Sequence, residues 1–274
     1  MGVTRRDFLR SATAISVGAL TGVATYGVFY ERHHLKRLER DIAVRGLPPA
    51  LDGLRIGMIT DVHHSAAVSA ADVTHAVSLL AEAAPDIVVL GGDYVSFFDR
   101  GYISPVAELL TPLAGAKYGG FAVLGNHDDE REMPAALASR GFTVLKDQRT
   151  ALTINGERLD LAGIRFWTRT AGDIAAVLKG TGGTTILLAH DPRRLSEAAA
   201  LDVQLVLSGH THGGQVIVPT VGAIAGRKFP VLAGYATRDN TSIFVSRGVG
   251  TVYVPVRINC PPDVAVLTLR TAAA

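Results

Sequence analysis

Three features of the chain predict an α/β fold built on a largely parallel, buried sheet. Short apolar runs of strand length alternate with helical segments, and several of these runs end abruptly in Asp, Asn or His. The last third loses its helices and turns β-rich. Strands that alternate with helices form parallel sheets covered on both faces. In such sheets a ligand site lies beyond the carboxyl ends of the strands.

With 274 residues, 48% hydrophobic and 19% charged, the chain can bury a substantial core. Its charge is unevenly spread. Residues 1–45 hold eight Lys/Arg against four acids, whereas residues 46–274 hold 19 against 21. The basic excess therefore belongs to the leader, and no nucleic-acid partner is expected. A single cysteine, Cys260, excludes an intrachain disulfide framework and a cysteine zinc site. Any bound metal must then use nitrogen and oxygen ligands.

Taken in order, residues 1–30 read as an address. Thr4 to Arg10, TRRDFLR, resembles the signal read by the twin-arginine export machinery. Twenty uncharged residues follow, Ser11 to Tyr30, long enough to span a bilayer as an anchor. The segment is either cut, with Gly22-Val23-Ala24 as the small-residue site, or kept as a membrane anchor. Either outcome predicts export across the cytoplasmic membrane, and this pathway carries folded proteins, so a cofactor can be loaded first. Residues 31–46 read as a charged linker or short helix, with His33 and His34 solvated. Residues 47–274 form a single folded domain in this reading.

Pro48-Pro49 punctuates the entry to that domain, and residues 54–60 form an apolar strand that runs into Asp61 and His63. If strand geometry persists, those two side chains share a face. Residues 69–84 read as a helix with Ser69 as N-cap, Asp72 three residues on and Pro85 as the stop. A strand over 87–90 ends in Gly91-Gly92-Asp93, and a helix is expected over 103–116. The strand over 121–124 ends in Gly125-Asn126-His127-Asp128. Strands over 186–189 and 203–207 end in His190 and in Gly209-His210-Thr211-His212. Beyond these, 216–218, 243–246, 251–256 and 264–269 read as strands of an antiparallel portion or second sheet.

Five of the nine histidines (His63, His127, His190, His210, His212) thus sit at strand ends. Any one motif is weak, since Gly-Gly-Asp is first a turn signal. Two histidines at i and i+2 on a core strand are stronger, because buried imidazoles need polar partners. Five strand ends with the same chemistry point to one shared site. His64 follows the first motif and His75 lies in a helix; neither is given a role.

Asp61-x-His63, Gly92-Asp93, Gly125-Asn126-His127-Asp128, His190 and Gly209-His210-x-His212, in this order, resemble the calcineurin-like metallophosphoesterase superfamily. The phrases LPPALDGLRI, GHTHGGQ and CPPDVAVLTL are similar to its twin-arginine-exported or membrane-attached bacterial phosphodiesterase branch. The resemblance implies a four-layer α/β/β/α sandwich of two mixed β-sheets flanked by helices. It implies two divalent metal ions, Mn, Fe or Zn. Asp61, His63 and His212 would hold one, Asn126, His190 and His210 the other, and Asp93 would bridge them. His127 would assist the leaving group, held in place by Asp128, while a metal-bridging hydroxide attacks phosphorus.

Asp99-Arg100-Gly101 resembles the Asp-Arg-Gly element of serine/threonine protein phosphatases but comes three residues late, after Ser96-Phe97-Phe98. Arg100 is therefore not carried over as a phosphate clamp, and Phe97 and Phe98 either flank the mouth as an apolar lip or simply pack. The expected activity is an exported phosphodiesterase acting on a cell-envelope or lipid-linked phosphoester. Alternatives are a pyrophosphatase of a nucleotide-linked lipid precursor, a phosphomonoesterase and a metal-binding scaffold without turnover.

Overall fold

A computed structural model describes residues 4–272. Residues 1–3 and 273–274, and the side chains of Asp7 and Phe8 in the leader motif, lie outside the described residues. The strands, in chain order, are β1 (Lys36–Val44), β2 (Arg55–Ile59), β3 (Ile87–Leu90), β4 (Gly120–Ala122), β5 (Thr143–Val144), β6 (Gln148–Ile154), β7 (Glu157–Gly163), β8 (Thr184–Leu188), β9 (Leu205–Ser208), β10 (Ile217–Val218), β11 (Gly222–Ala223), β12 (Gly234–Arg238), β13 (Thr241–Val245) and β14 (Asp263–Thr271). The helices are α1 (Arg5–Phe29), α2 (Ala70–Ala81), α3 (Ile103–Leu110), α4 (Glu132–Ser139), α5 (Ala171–Leu178) and α6 (Leu195–Ala200).

Two six-stranded mixed sheets form the body. One runs β1-β14-β2-β3-β4-β5 and the other β12-β13-β9-β8-β7-β6. Period-2 alternation decides which layer each side chain enters. On β2 and β3, Ile56, Met58, Ile87 and Val89 point into the layer between the sheets. Their neighbours Ile59, Val88 and Leu90 point outward, beneath Val73, Val77 and Leu80 of α2 and Val106 and Leu110 of α3. From the second sheet, Leu161, Ile186, Leu188, Leu205 and Leu207 fill the same inner layer. Leu187 and Val206 pack outward with Ile174 of α5 and Ala198 of α6. The result is the four-layer α/β/β/α sandwich that the resemblance implied.

Local chemistry explains where elements begin and end. Ser69 and Asp72 form a reciprocal capping box at α2, the Ser69 amide donating to Asp72 Oδ2 at 3.0 Å and the Asp72 amide to Ser69 Oγ at 3.2 Å. The third helix stops at Leu110, short of the expected 116. Pro112 offers no N–H to prolong it, and a 3₁₀ turn over Thr111–Leu113 takes over. Strands β6 and β7 form a hairpin the sequence reading did not anticipate, pairing Ile154 with Glu157 across a two-residue Asn155-Gly156 turn. Both turn residues have positive φ, as a primed turn requires.

Two expectations are corrected. The charged linker over 31–46 is largely β1, which pairs in parallel with β14 over nine residues, Lys36 with Asp263 through Val44 with Thr271. Its charges belong to an edge strand whose other side meets water, while Ile42 and Val44 are fully buried in the inner layer. His33 is also engaged, its Nδ1 lying 2.7 Å from Asp72 Oδ1. The strand expected over 251–256 is an irregular loop. One side chain takes up several of its backbone groups: Gln215 Oε1 accepts from the Val252 amide, and Gln215 Nε2 donates to the carbonyls of Val254 and Val256, while the Val254 and Val256 amides bond within the loop.

Helix α1 is long and apolar enough to cross a membrane by length and composition, and most of it is exposed. Only its end packs on the body. A Cβ at Gly27 would sit 2.6 Å from the Arg257 carbonyl oxygen, so only glycine permits this approach, and the Arg257 amide donates to the Gly27 carbonyl at 3.2 Å. Just beyond, buried Glu31 accepts from the amides of Asn259 and Cys260 at 3.0 and 2.6 Å. The first sheet and this latch depend on residues 31–44. Ile42→Ala is expected to cost about 2–5 kcal/mol through the cavity it leaves. Urea unfolding checks this; a free linker would show no change.

Candidate metal centre

The site collects at the carboxyl ends of five parallel strands. Asp61 and His63 follow β2, Asp93 follows β3, Asn126, His127 and Asp128 follow β4, His190 follows β8, and His210 and His212 follow β9. The backbone turns sharply there. Asp61, His63, Asp93, His210 and His212 all have positive φ, between 49° and 71°. Such conformations cost about 1–3 kcal/mol each and persist only where the surroundings enforce them. The enforcement comes from loops bonded to one another: the Asp61 amide donates to the Gly92 carbonyl, and the His63 amide to that of Asp93. At Gly209 any Cβ would overlap Asp61 Oδ2 and Thr60 Oγ1, so the histidine loop can close on Asp61 only through glycine.

Two clusters result, Asp61–His63–His212 and Asp93–His190–His210, each with its ligand atoms within 4.8 Å of one another. Asp93 Oδ2 lies between them, 3.1 Å from His190 Nε2 and 3.7 Å from His63 Nε2. Asp61 Oδ1 is 3.3 Å from His212 Nε2, and His63 Nε2 stands 3.1 Å from His212 Nε2. Buried Asn126 Oδ1, His190 Nε2 and His212 Nδ1 make no hydrogen bond. Ring nitrogens and carboxylate oxygens crowded together, and an orphaned amide oxygen on the loop after β4, are a donor set for divalent cations. The seven candidate ligands therefore fit a two-metal centre, although these distances do not name the ion.

Electrostatics agree with that fit. Burial lowers His63 to about 4 and His210 to about 3, and also lowers His212, so all three are neutral lone-pair donors at neutral pH. Burial likewise raises Asp61 to about 6. His190 moves the other way. Burial would lower it, but the carboxylates of Asp93 and Asp61 outweigh that and raise it to about 10. Against its own burial, Asp93 is held well below the usual carboxylate range by His190. Outer partners orient the rings: His190 Nδ1 lies 2.8 Å from the Gly91 carbonyl, and His63 Nδ1 lies 3.2 Å from Ser96 Oγ.

His127 is buried beside the aromatic rim, its ring 5.0 Å from that of His63. Here the expectation that Asp128 holds His127 is corrected. The Asp128 carboxylate faces inward and accepts from the amides of Asp93, Tyr94 and Gly125 at 2.7, 2.8 and 2.9 Å. What orients the imidazole is the Phe97 amide, which donates to His127 Nδ1 at 3.1 Å. In the neutral ring this leaves the proton on Nε2. No sequence signal could have exposed a main-chain donor. Ser96 was equally invisible as a partner of His63. Arg100 is exposed and spent on Asp129 and Glu132. Phe97 and Phe98 do flank the mouth, with ring centroids 5.1 and 6.5 Å from His127. Opposite them Phe166 and Phe229 stand 5.1 and 5.3 Å from His210. Arg169 lies over Phe166, and Arg193 over Phe229.

Paired carboxylate–histidine clusters at the strand ends of a four-layer sandwich define a class, the metal-dependent phosphoester hydrolases. Residues 54–214 match the calcineurin-like phosphoesterase family model, more than half of the chain, and the chain belongs to that family. It is 29% identical to YkuE of Bacillus subtilis, an uncharacterized metallophosphoesterase, over 98% of both chains. To the phosphodiesterase YaeI of Escherichia coli it is 30% identical over 97% of this chain and 99% of that one. A transmembrane protein with a metallophosphoesterase domain from Danio rerio is 30% identical over 98% of this chain and 65% of its own length. Among solved structures, a dimetal phosphatase from Danio rerio aligns with a TM-score of 0.44 at 12% identity, covering 72% of this chain and 88% of that one.

The corrected role of Asp128 is testable. In Asp128→Asn one amide nitrogen must face a main-chain N–H, leaving a buried donor unsatisfied at a cost of about 1–3 kcal/mol. Denaturant unfolding should register that loss. A residue serving only to orient His127 would leave stability unchanged.

Proposed function

We propose that the protein is an exported phosphodiesterase of the cell envelope, acting on a lipid-linked phosphoester at a two-metal centre. One observation carries the reading: Asp93 stands between two carboxylate–histidine clusters, with His127 beside them at the mouth. Asp61, His63 and His212 would hold one cation, Asn126, His190 and His210 the other, and Asp93 would touch both. When bound, two divalent cations supply charge for the phosphoryl oxygens and acidify a water.

The chain's own residues do the rest. Neutral His63, His210 and His212 offer lone pairs without first losing a proton, whereas His190 would give up its proton to a bound cation. His127, lowered from its ordinary value by burial, carries its proton on Nε2, and Nε2 makes no hydrogen bond among the described residues. That N–H is free to hydrogen-bond the leaving oxygen and stabilise the charge that develops there. The Phe97 amide keeps the tautomer in place. The diester preference is supported by the relative named as a phosphodiesterase. The envelope location is supported by the leader motif and by α1.

The test uses the full chain in detergent, loaded with Mn²⁺, on a bis-aryl phosphodiester and the matching aryl monoester. Diester turnover should exceed monoester turnover. His127→Ala should lower kcat by about 10²–10⁴-fold with both metals retained by elemental analysis. Asp93→Ala should lose bound metal as well as turnover. Two bound metals with no turnover of either ester would overturn the reading in favour of a scaffold.

A further inference from the structure

Phe97 and Tyr253, whose rings lie beside His127, also line a groove that runs toward the base of α1. Its volume is about 520 Å³, and its walls are mostly apolar, with Ala66, Ala67, Phe97, Tyr102, Tyr253 and Val254 among them. That is the size of a small-molecule site. At its inner end stands Ser96, the hydroxyl partner of His63. Around its rim the side chains are large, apolar and bare: Phe97 is 56% exposed, Phe98 55%, Tyr253 79% and Val254 53%. Phe97, Phe98 and Tyr253 also hold positive φ, a conformation bulky residues avoid unless something requires it. Phe97 and Tyr253 face each other at 5.6 Å, and both rings touch that of His127.

The outer end of the groove reaches the base of α1. Ala67 and Thr251 line both the groove and a small cleft formed with Arg32 and His33, and Arg32 Nη1 donates to the Ala67 carbonyl at 3.2 Å. The loop that carries Tyr253 and Val254 continues to Arg257, whose amide is bonded to Gly27 of α1. Four residues span at most about 13–14 Å, so the rim lies within that reach of the helix. Tyr26, Phe29 and Tyr30 stand exposed at the same end of α1. Aromatic residues at the end of a spanning helix sit at headgroup depth.

We propose that this groove is a hydrocarbon-tail site. The rim of Phe97, Phe98, Tyr253 and Val254 lies in the headgroup region of the bilayer entered by α1, and the metal centre takes a phosphodiester amphiphile from that bilayer with its tail along the groove. The occupant is an acyl or prenyl chain rather than a polypeptide, because the groove is continuous with the base of the one helix, among the described residues, suited to a membrane. The tail site rests on the phosphodiesterase reading; the contact of the rim with lipid does not.

Two experiments separate these parts. The first uses the full chain in phosphatidylethanolamine–phosphatidylglycerol vesicles whose acyl chains carry bromine, a fluorescence quencher. In a Trp167→Phe background, which removes the native tryptophan, Tyr253→Trp should lose at least half its emission relative to unbrominated vesicles. Glu157→Trp, at the opposite end of the second sheet from the site, should lose none. Equal emission of Tyr253→Trp in both vesicles would overturn the membrane contact.

The second experiment follows kcat/KM for aryl alkyl phosphodiesters with alkyl chains of increasing length and one aryl leaving group. A rise of tenfold or more with chain length is expected, and Ala67→Phe, an exposed position filling the groove, should flatten it. A flat series on an active enzyme would overturn the tail site and leave the phosphodiesterase reading standing. No turnover of any member with two metals bound would overturn that reading and the tail site with it.

Discussion

Everything else in this molecule answers to the burial of Asp61, Asp93 and their imidazoles in one small space. Carboxylates and imidazoles stand 3–4 Å from one another with Asp61, His63, Asp93, His190 and His212 all buried, an arrangement that a bound cation would stabilise. The fold tolerates this because five parallel strands end together and deliver the side chains from loops already fixed by their own hydrogen bonds.

Much of the machinery that holds these loops is itself polar and buried. Arg257 is fully buried, and its guanidinium donates to the carbonyls of Arg247, Gly248, Gly250 and Cys260. Those carbonyls belong to the segment that closes over β2, where the Val249 and Gly250 amides bond to the carbonyls of Thr60 and Asp61. Cys260 Sγ reaches the His212 carbonyl at 3.3 Å, and the Cys260 amide is held by Glu31. The path from the end of α1 to a site histidine therefore runs through two residues. The end of α1 and the candidate metal centre, far apart along the chain, are joined by packing at this junction.

The catalytic face was legible to very different degrees. Alternating apolar runs and their polar ends located β2, β3, β8 and β9 to within a residue or two, because burial on both faces leaves a continuous apolar signature. Strand β1 escaped notice because an edge strand shows charge along most of its length, and only Ile42 and Val44 carry the core signal. Residues 251–256 misled in the opposite sense. They have strand composition, yet Gln215 and turns within the loop take up their backbone groups and Tyr253 and Val254 are left exposed. Asp128 was read as the partner of His127 from adjacency alone. In three dimensions adjacency pointed its carboxylate at three main-chain amides instead.

By itself the sequence determined the class of chemistry, since Asp, Asn and His at five strand ends and a single cysteine leave little but an N/O-ligated metal site. It also determined the period-2 and helical patterns from which the layers follow. Tertiary structure alone decided what orients those groups and what surrounds them: the Phe97 amide on His127, the Gly91 carbonyl and Ser96 behind two histidines, Arg257 beneath the loops, and the groove toward α1. The physical reason is the same in each case. Residue type and local periodicity are written along the chain, whereas a main-chain donor or a shared wall comes into being only when segments far apart in sequence are brought into contact.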